Sequence, residues 1–191
     1  LSHQYLFIDN EDTTMSIETI PFNLTSRQAL IELIRKTHPR FNLVEKYARF
    51  DPPYHAPTED VPGRTFIEVE QTDRNLKRWY VYRRLDFNVK FFGQINIKLA
   101  PPITPRRIVE EINRSRDMCI TDEDVELNDA PIDASGPIVL WTMEALPNSY
   151  RWVGSVPVSV EIAGLPTNIR LTEDGAVRLN EDGSYRLLEI E

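Results

Sequence analysis

The chain carries an internal echo. Leu24-Thr25-Ser26-Arg27 opens a helical pattern in which Ala29, Leu30, Leu33 and Ile34 share one face. Ile103-Thr104-Pro105-Arg106 opens a second, with Ile108, Val109 and Ile112 at matching offsets. Each Thr is the predicted N-cap, and Pro105 stands at the first helical position, where its missing N–H costs nothing. Downstream, Gly63-Arg64-Thr65-Phe66-Ile67 corresponds to Gly136-Pro137-Ile138-Val139-Leu140, and Arg78-Trp79 to Arg151-Trp152. Each copy closes on an alternation of the kind a half-buried strand requires: Leu85, Phe87, Val89, Phe91 and then Val156, Val158, Val160, Ile162.

The expected fold is α+β. It has two tandem similar modules, each one helix packed on a small, mainly antiparallel sheet, followed by a β-rich C-terminal extension. Residues 24–91 and 103–162 are expected to superpose. Both recurring tryptophans are expected in the cores, Trp79 on Leu30 and Leu33, Trp152 on Val109 and Ile112.

The divisions follow from the punctuation. Residues 1–92 form the first module, with strands at Tyr5–Ile8 and Ile17–Phe22 around an Asp9-Asn10-Glu11-Asp12 turn. Gly93 interrupts the alternating ribbon 87–99, and Pro101-Pro102 stops pairing before the second helix, so the second module is 93–163. Residues 164–191 hold Asp174-Gly175 and Asp182-Gly183, both hairpin signals.

A length of 191 residues with 41% apolar side chains is ample for a core. Basic residues number 22 against 30 acidic, and the net −8 argues against a general nucleic-acid coat or a binder of anionic membranes. No apolar run reaches the roughly 18–20 residues that span a bilayer. Leu1-Ser2-His3-Gln4 lacks the basic start of a signal peptide and lacks Met, as expected of a processed or trimmed chain.

Candidate chemistry is thin. His3, His38 and His55 are scattered, and Cys119, the single cysteine, permits neither an internal disulfide nor a cysteine-based zinc site. Met118-Cys119-Ile120 reads as a small buried thiol. The glycines form no phosphate loop and no Gly-x-Ser-x-Gly elbow. No catalytic residue, cofactor or metal is therefore expected. Asp117, Asp122, Glu123, Asp124, Glu126, Asp129 and Asp133 would suit Ca²⁺, but the spacing lacks the glycine and terminal Glu of an EF-hand loop, and a solvated loop is preferred.

Arg74, Lys77, Arg78, Trp79, Tyr80, Tyr82, Arg83 and Arg84 form a basic, aromatic strand. Arginines beside exposed aromatics stack on bases and neutralise phosphates, which makes single-stranded nucleic acid the sharper reading. The Arg-Trp pair recurs at Arg151-Trp152 without the basic cluster, which favours a structural role for the Trp and argues against nucleic acid as a partner. Arg74, Lys77, Arg78, Tyr80, Tyr82 and Arg84, with Asp122, Glu123 and Asp124, are instead expected to face neighbours of opposite charge in an assembly.

The second copy resembles a repeated domain of virion structural proteins in large contractile-tailed bacteriophages. The resemblance covers about residues 93–163. It rests on Ile103-Thr104 with its helix, Ile120-Thr121-Asp122-Glu123-Asp124-Val125, Gly136-Pro137-Ile138-Val139-Leu140, and Tyr150-Arg151-Trp152-Val153-Gly154-Ser155-Val156-Pro157-Val158. Copy one is looser, with Val81 to Arg84 in place of the Val-Gly-Ser turn. The resemblance implies a non-enzymatic virion part of tail, baseplate or neck. Its partners would be other virion proteins and copies of itself, and it would meet the host cytoplasm only during assembly. It implies no catalytic residue and no membrane partner.

Overall fold

Thr25 starts the first long helix in a reciprocal cap. Its hydroxyl accepts from the Gln28 N–H at 3.2 Å, and the Gln28 side chain accepts from the Thr25 N–H at 3.2 Å. In the second, the Thr104 hydroxyl accepts from the Arg107 N–H and Pro105 follows it. A computed structural model describes residues 3–8, 15–55, 64–133 and 136–163, with side chains from Ile20 onward except His55. The hairpin signals at 164–191 and the turn at 9–12 lie outside the described residues.

The elements are β1 (His3–Ile8), β2 (Met15–Ile20), α1 (Ser26–Thr37), β3 (Ala48–Phe50), β4 (Tyr54–His55), β5 (Arg64–Gln71), β6 (Leu76–Arg83), β7 (Leu85–Asp86), α2 (Phe87–Lys90), β8 (Ile95–Leu99), α3 (Pro105–Arg116), β9 (Ile138–Glu144), β10 (Trp152–Val153) and β11 (Ser155–Ile162). The fold is α+β. The first sheet runs β2-β1-β6-β5-β3, all antiparallel, with β4 also on β5. The second runs β8-β11-β9, β8 parallel and β9 antiparallel to β11. A short parallel pair, β7 with β10, ties the two halves.

Both halves run strand, helix, antiparallel hairpin: β2, α1, β5–β6, then β8, α3, β9–β11. The strand orders differ, however. β8 lies directly on β11, whereas β1 stands between β2 and β6. The expected equivalence of the Arg-Trp pairs is corrected: Arg78-Trp79 lies inside β6, while Arg151-Trp152 precedes the hairpin strand β11. The predicted strand 85–91 is corrected too. Asp86 accepts from the Asn88 N–H at 2.7 Å and the Val89 N–H at 3.2 Å, so its carboxylate caps α2 and turns the alternating residues into a helical turn.

Two cores result. One sets Leu30, Leu33 and Ile34 of α1 against Ile67, Val69, Tyr80 and Tyr82. The other sets Ile108, Val109 and Ile112 of α3 against Val156, Val158 and Val160, and it also takes Phe22, Phe87 and Phe91 from before residue 93. Gly154, at φ +73, turns the chain from β10 into β11, and a Cβ there would stand 2.9 Å from the Asp86 carboxylate. The Val-Gly-Ser turn thus needs its glycine on two counts, backbone conformation and the approach of Asp86.

Candidate interaction surfaces

The basic strand does not present one face. On β6, Tyr80 and Tyr82 point inward, while Arg78, exposed, spreads its guanidinium over the Phe41 ring 5.4 Å away. Trp79 takes the opposite phase and is 57% exposed, not packed on Leu30 and Leu33 as expected. The reason is that α1 covers the sheet face bearing Ile67 and Tyr80, which are direct cross-strand partners; Trp79 pairs with Glu68 on the other face. Arg74 sits in the β5–β6 turn, and Lys77 pairs with Glu68 at 3.0 Å. That contact raises the Lys77 ammonium above its ordinary range. Of the expected interface residues, Arg74, Lys77 and Arg78 are exposed, with Arg83 beside them, whereas Tyr80, Tyr82 and Arg84 belong to the interior.

The acidic segment divides likewise. Asp122 and Glu123 are exposed in a turn, as are Asp117, Glu126, Asp129 and Asp133, with Asp129 held by Arg106 at 3.0 Å. Asp124 is 0% exposed. Its Oδ1 accepts from the Ser26 hydroxyl and, at 2.6 Å, from the Ser149 hydroxyl; its Oδ2 accepts from the Thr121 N–H at 3.1 Å. An Asp-turn hidden in an acidic run looks like any solvated loop in sequence, because two of its donors, Ser26 and Ser149, lie far along the chain. No group of His, Cys, Asp or Glu suited to a metal ion occurs among the described residues.

Arg84 and Arg151 complete this interior seam. Arg84 donates to the carbonyls of Pro147 and Ser149, both at 2.9 Å, and to the Thr65 hydroxyl at 3.3 Å. Burial lowers its guanidinium from the ordinary value. Arg151, 2% exposed, donates to the carbonyls of Pro21 at 2.8 Å, Leu24 at 3.0 Å and Phe22 at 3.4 Å, and lies over the Phe22 ring. The Arg of the second Arg-Trp pair is therefore a bolt between the N-terminal segment and the second unit, a role that the recurrence of the pair did not suggest. Cys119 lies close by, its N–H donating to the Phe22 carbonyl at 2.9 Å. Burial, and then the charge of Asp124, pushes its thiol up, which suppresses the thiolate that nucleophilic chemistry requires.

Of the remaining exposed apolar side chains, Val89 and Phe92 lie on and just after α2, and the others lie on sheet faces and edges. Tyr54 and Trp79 lie on the outer face of the first sheet, each beside half-buried Phe66 in the ladder, and Arg64 stands directly opposite Arg83 there. On the second sheet Leu140 is 75% and Ile138 56% exposed. A shallow hollow of about 510 Å³ beside Ile138, lined also by Asn96, Lys98, Ser159 and Glu161, is open to solvent. No family model, no curated protein and no solved structure matches the chain.

Proposed function

We propose that the protein is a non-enzymatic assembly component of a phage virion, joining neighbouring subunits in a symmetric tail, baseplate or neck. The observation that carries the reading is the uneven distribution of exposed charge along the chain. The exposed cations Arg74, Lys77, Arg78 and Arg83 lie along the β5–β6 hairpin, Arg78 on one face and Lys77 and Arg83 on the other, and the exposed acids Asp117, Asp122, Glu123 and Glu126 lie in the segment after α3. Opposite patches on one body let copies meet head to tail, and such contacts close into rings or stack. Buried Arg84, Asp124 and Arg151 tie the halves together, and the virion setting rests on the sequence pattern of residues 93–163 alone. Locating the chain and its stoichiometry in intact particles, with neighbours identified by cross-linking, is the direct test. Reversing Arg74 and Arg83 to Glu is expected to cut incorporation at least tenfold. Reversing Asp122 and Glu123 to Lys in the same chain should restore it if the patches meet between copies. Unchanged incorporation sinks the charge-directed reading.

A nucleic-acid-binding accessory protein is the second reading, and one observation favours it. Trp79 and Tyr54 offer exposed rings on a sheet face where Arg64 and Arg83 stand opposite each other, a like-charge pair that an anion would relieve. Against it stand the net −8 and the pairing of Lys77 with Glu68. Filter binding with single-stranded oligonucleotides is expected to show only weak, nonspecific retention. A tight complex, weakened steeply by salt and by Arg83→Ala or Trp79→Ala, would replace the assembly reading.

A further inference from the structure

The second sheet ends on a strand, β9, whose outer edge no other strand among the described residues pairs with. In β9, the carbonyl of Pro137 and the N–H of Ala145 turn toward β11. Alternation along a strand therefore sends the N–H and C=O groups of Ile138, Leu140, Thr142 and Glu144 to the outer edge. The Leu146 N–H, next in that series, is taken by the Asp124 carbonyl, and Val125 bridges Ala145, so the edge is closed beyond Glu144. From Ile138 to Glu144 no described residue pairs with it. The residues 138–143 include no charge and no proline, and Leu140 and Ile138 are the exposed apolar chains of that strand. The other edge of the same sheet differs: β8 displays Asn96 and Lys98 and runs into Pro101-Pro102, the features that discourage strand addition.

We propose that β9 pairs antiparallel with β9 of a second copy about a two-fold axis at Leu140, joining two three-stranded sheets into one continuous sheet. The inference rests on the assembly reading and names one of its contacts. The obstacles select the register. With Leu140 opposite Leu140 of the copy, Ile138 meets Thr142 and Thr142 meets Ile138, giving about six ladder hydrogen bonds. Pro137, which has no N–H, falls outside the ladder, and the Val125–Ala145 bridge is not disturbed. Charge agrees: Glu144, the one charge on the strand, lies beyond the overlap, so no like charges are opposed. The two most exposed apolar side chains of the strand are covered on one face, while Val139 meets Trp141 on the other. The contact spans only residues 138–142 on each side, below the roughly 1,200 Å² of a stable free-standing complex. It therefore forms a weak dimer in solution and gains strength where many copies are held together.

Cysteine cross-linking in a Cys119→Ser background tests both contact and register. Hydrogen-bonded partners across a ladder sit about 5.5 Å apart at Cα, inside the roughly 4.4–6.8 Å range of disulfides. Under diamide, Leu140→Cys is expected to form a disulfide-linked dimer at least tenfold faster than Val89→Cys, an equally exposed control. Thr142→Cys alone should not link, but its mixture with Ile138→Cys should. Raising salt should leave the rate unchanged or increase it, since the −8 charge of each chain is screened. A Leu140→Cys rate no greater than that of Val89→Cys overturns the inference. So does slow amide exchange at Leu140 and Thr142 that is independent of concentration, which would place another part of the same chain on the edge. If particles still assemble with an unlinked Leu140→Cys variant, only this contact fails; if the chain enters no assembly, the broader reading fails as well.

Discussion

Replacing Asp124 by Ala is expected to destabilise the protein by about 2–4 kcal/mol, since each buried donor left without an acceptor costs on the order of 1–3 kcal/mol. The carboxylate is wholly buried and accepts from Ser26, Ser149 and Thr121, which come from three separate segments. Alanine strips an acceptor from all of them at once, and water cannot reach the orphaned donors. Ser149 adds leverage, because its oxygen also accepts from the Trp152 N–H at 3.1 Å and so holds the start of β10. Asp124→Asn should cost less. Its amide oxygen can still serve the two serines on the Oδ1 side, but its NH₂ then opposes the Thr121 N–H. Urea denaturation followed by fluorescence and by circular dichroism measures both. Asp124→Ala is further expected to separate the two probes, because Ser26 belongs to α1 and Ser149 to the second unit. Single coincident transitions with less than 1 kcal/mol lost would show that the carboxylate holds nothing together.

Much of the fold could be read from local pattern, and the failures share a cause. Helices α1 and α3 were legible because cap, period and Pro105 agree within a few residues. Strand β11 was legible through alternation, as the buried Val156, Val158, Val160 and Ile162 show. The same alternation misled at 85–91, where Phe87 and Phe91 sit four apart and are therefore also one face of a helical turn; the Asp86 cap decides between the two. On β6 the phase was lost because Tyr80, Val81 and Tyr82 are all buried, so that stretch of the strand is covered on both faces, whereas the four residues before it, Trp79 included, are exposed. Arg84, Asp124 and Arg151 were illegible for a different reason. Their partners lie across the chain, Ser26 from Asp124 and Pro21 from Arg151, and nothing near them in sequence marks a charge as interior. Asp122 and Glu123 read correctly as exposed because they are, but the adjacent Asp124 carries the same letter and the opposite role.

The two recurring tryptophans should therefore behave as opposites. Trp152 is 1% exposed and stacks on Phe87 at 4.7 Å between ring centres, with Phe22 and Phe91 completing the cluster. Trp152→Ala is expected to cost about 3–5 kcal/mol, the range for large aromatic residues cut from cores, because it leaves an indole-sized cavity among the three phenylalanines. Trp152→Phe should cost much less, since it keeps a stacked ring and removes an indole N–H that has no acceptor. Trp79→Ala, by contrast, should move stability by no more than about 0.5 kcal/mol, as for other exposed positions. The neighbouring arginines should follow the same order. Arg151→Ala withdraws the donors of three main-chain carbonyls and is expected to approach the cost of Trp152→Ala, whereas Arg78→Ala loses only its contact with Phe41. Thermal melts of the four alanine variants separate the cases. Equal losses at Trp79 and Trp152 would mean that the outer face of the first sheet is covered in solution, and that Trp79 is an anchor for whatever covers it.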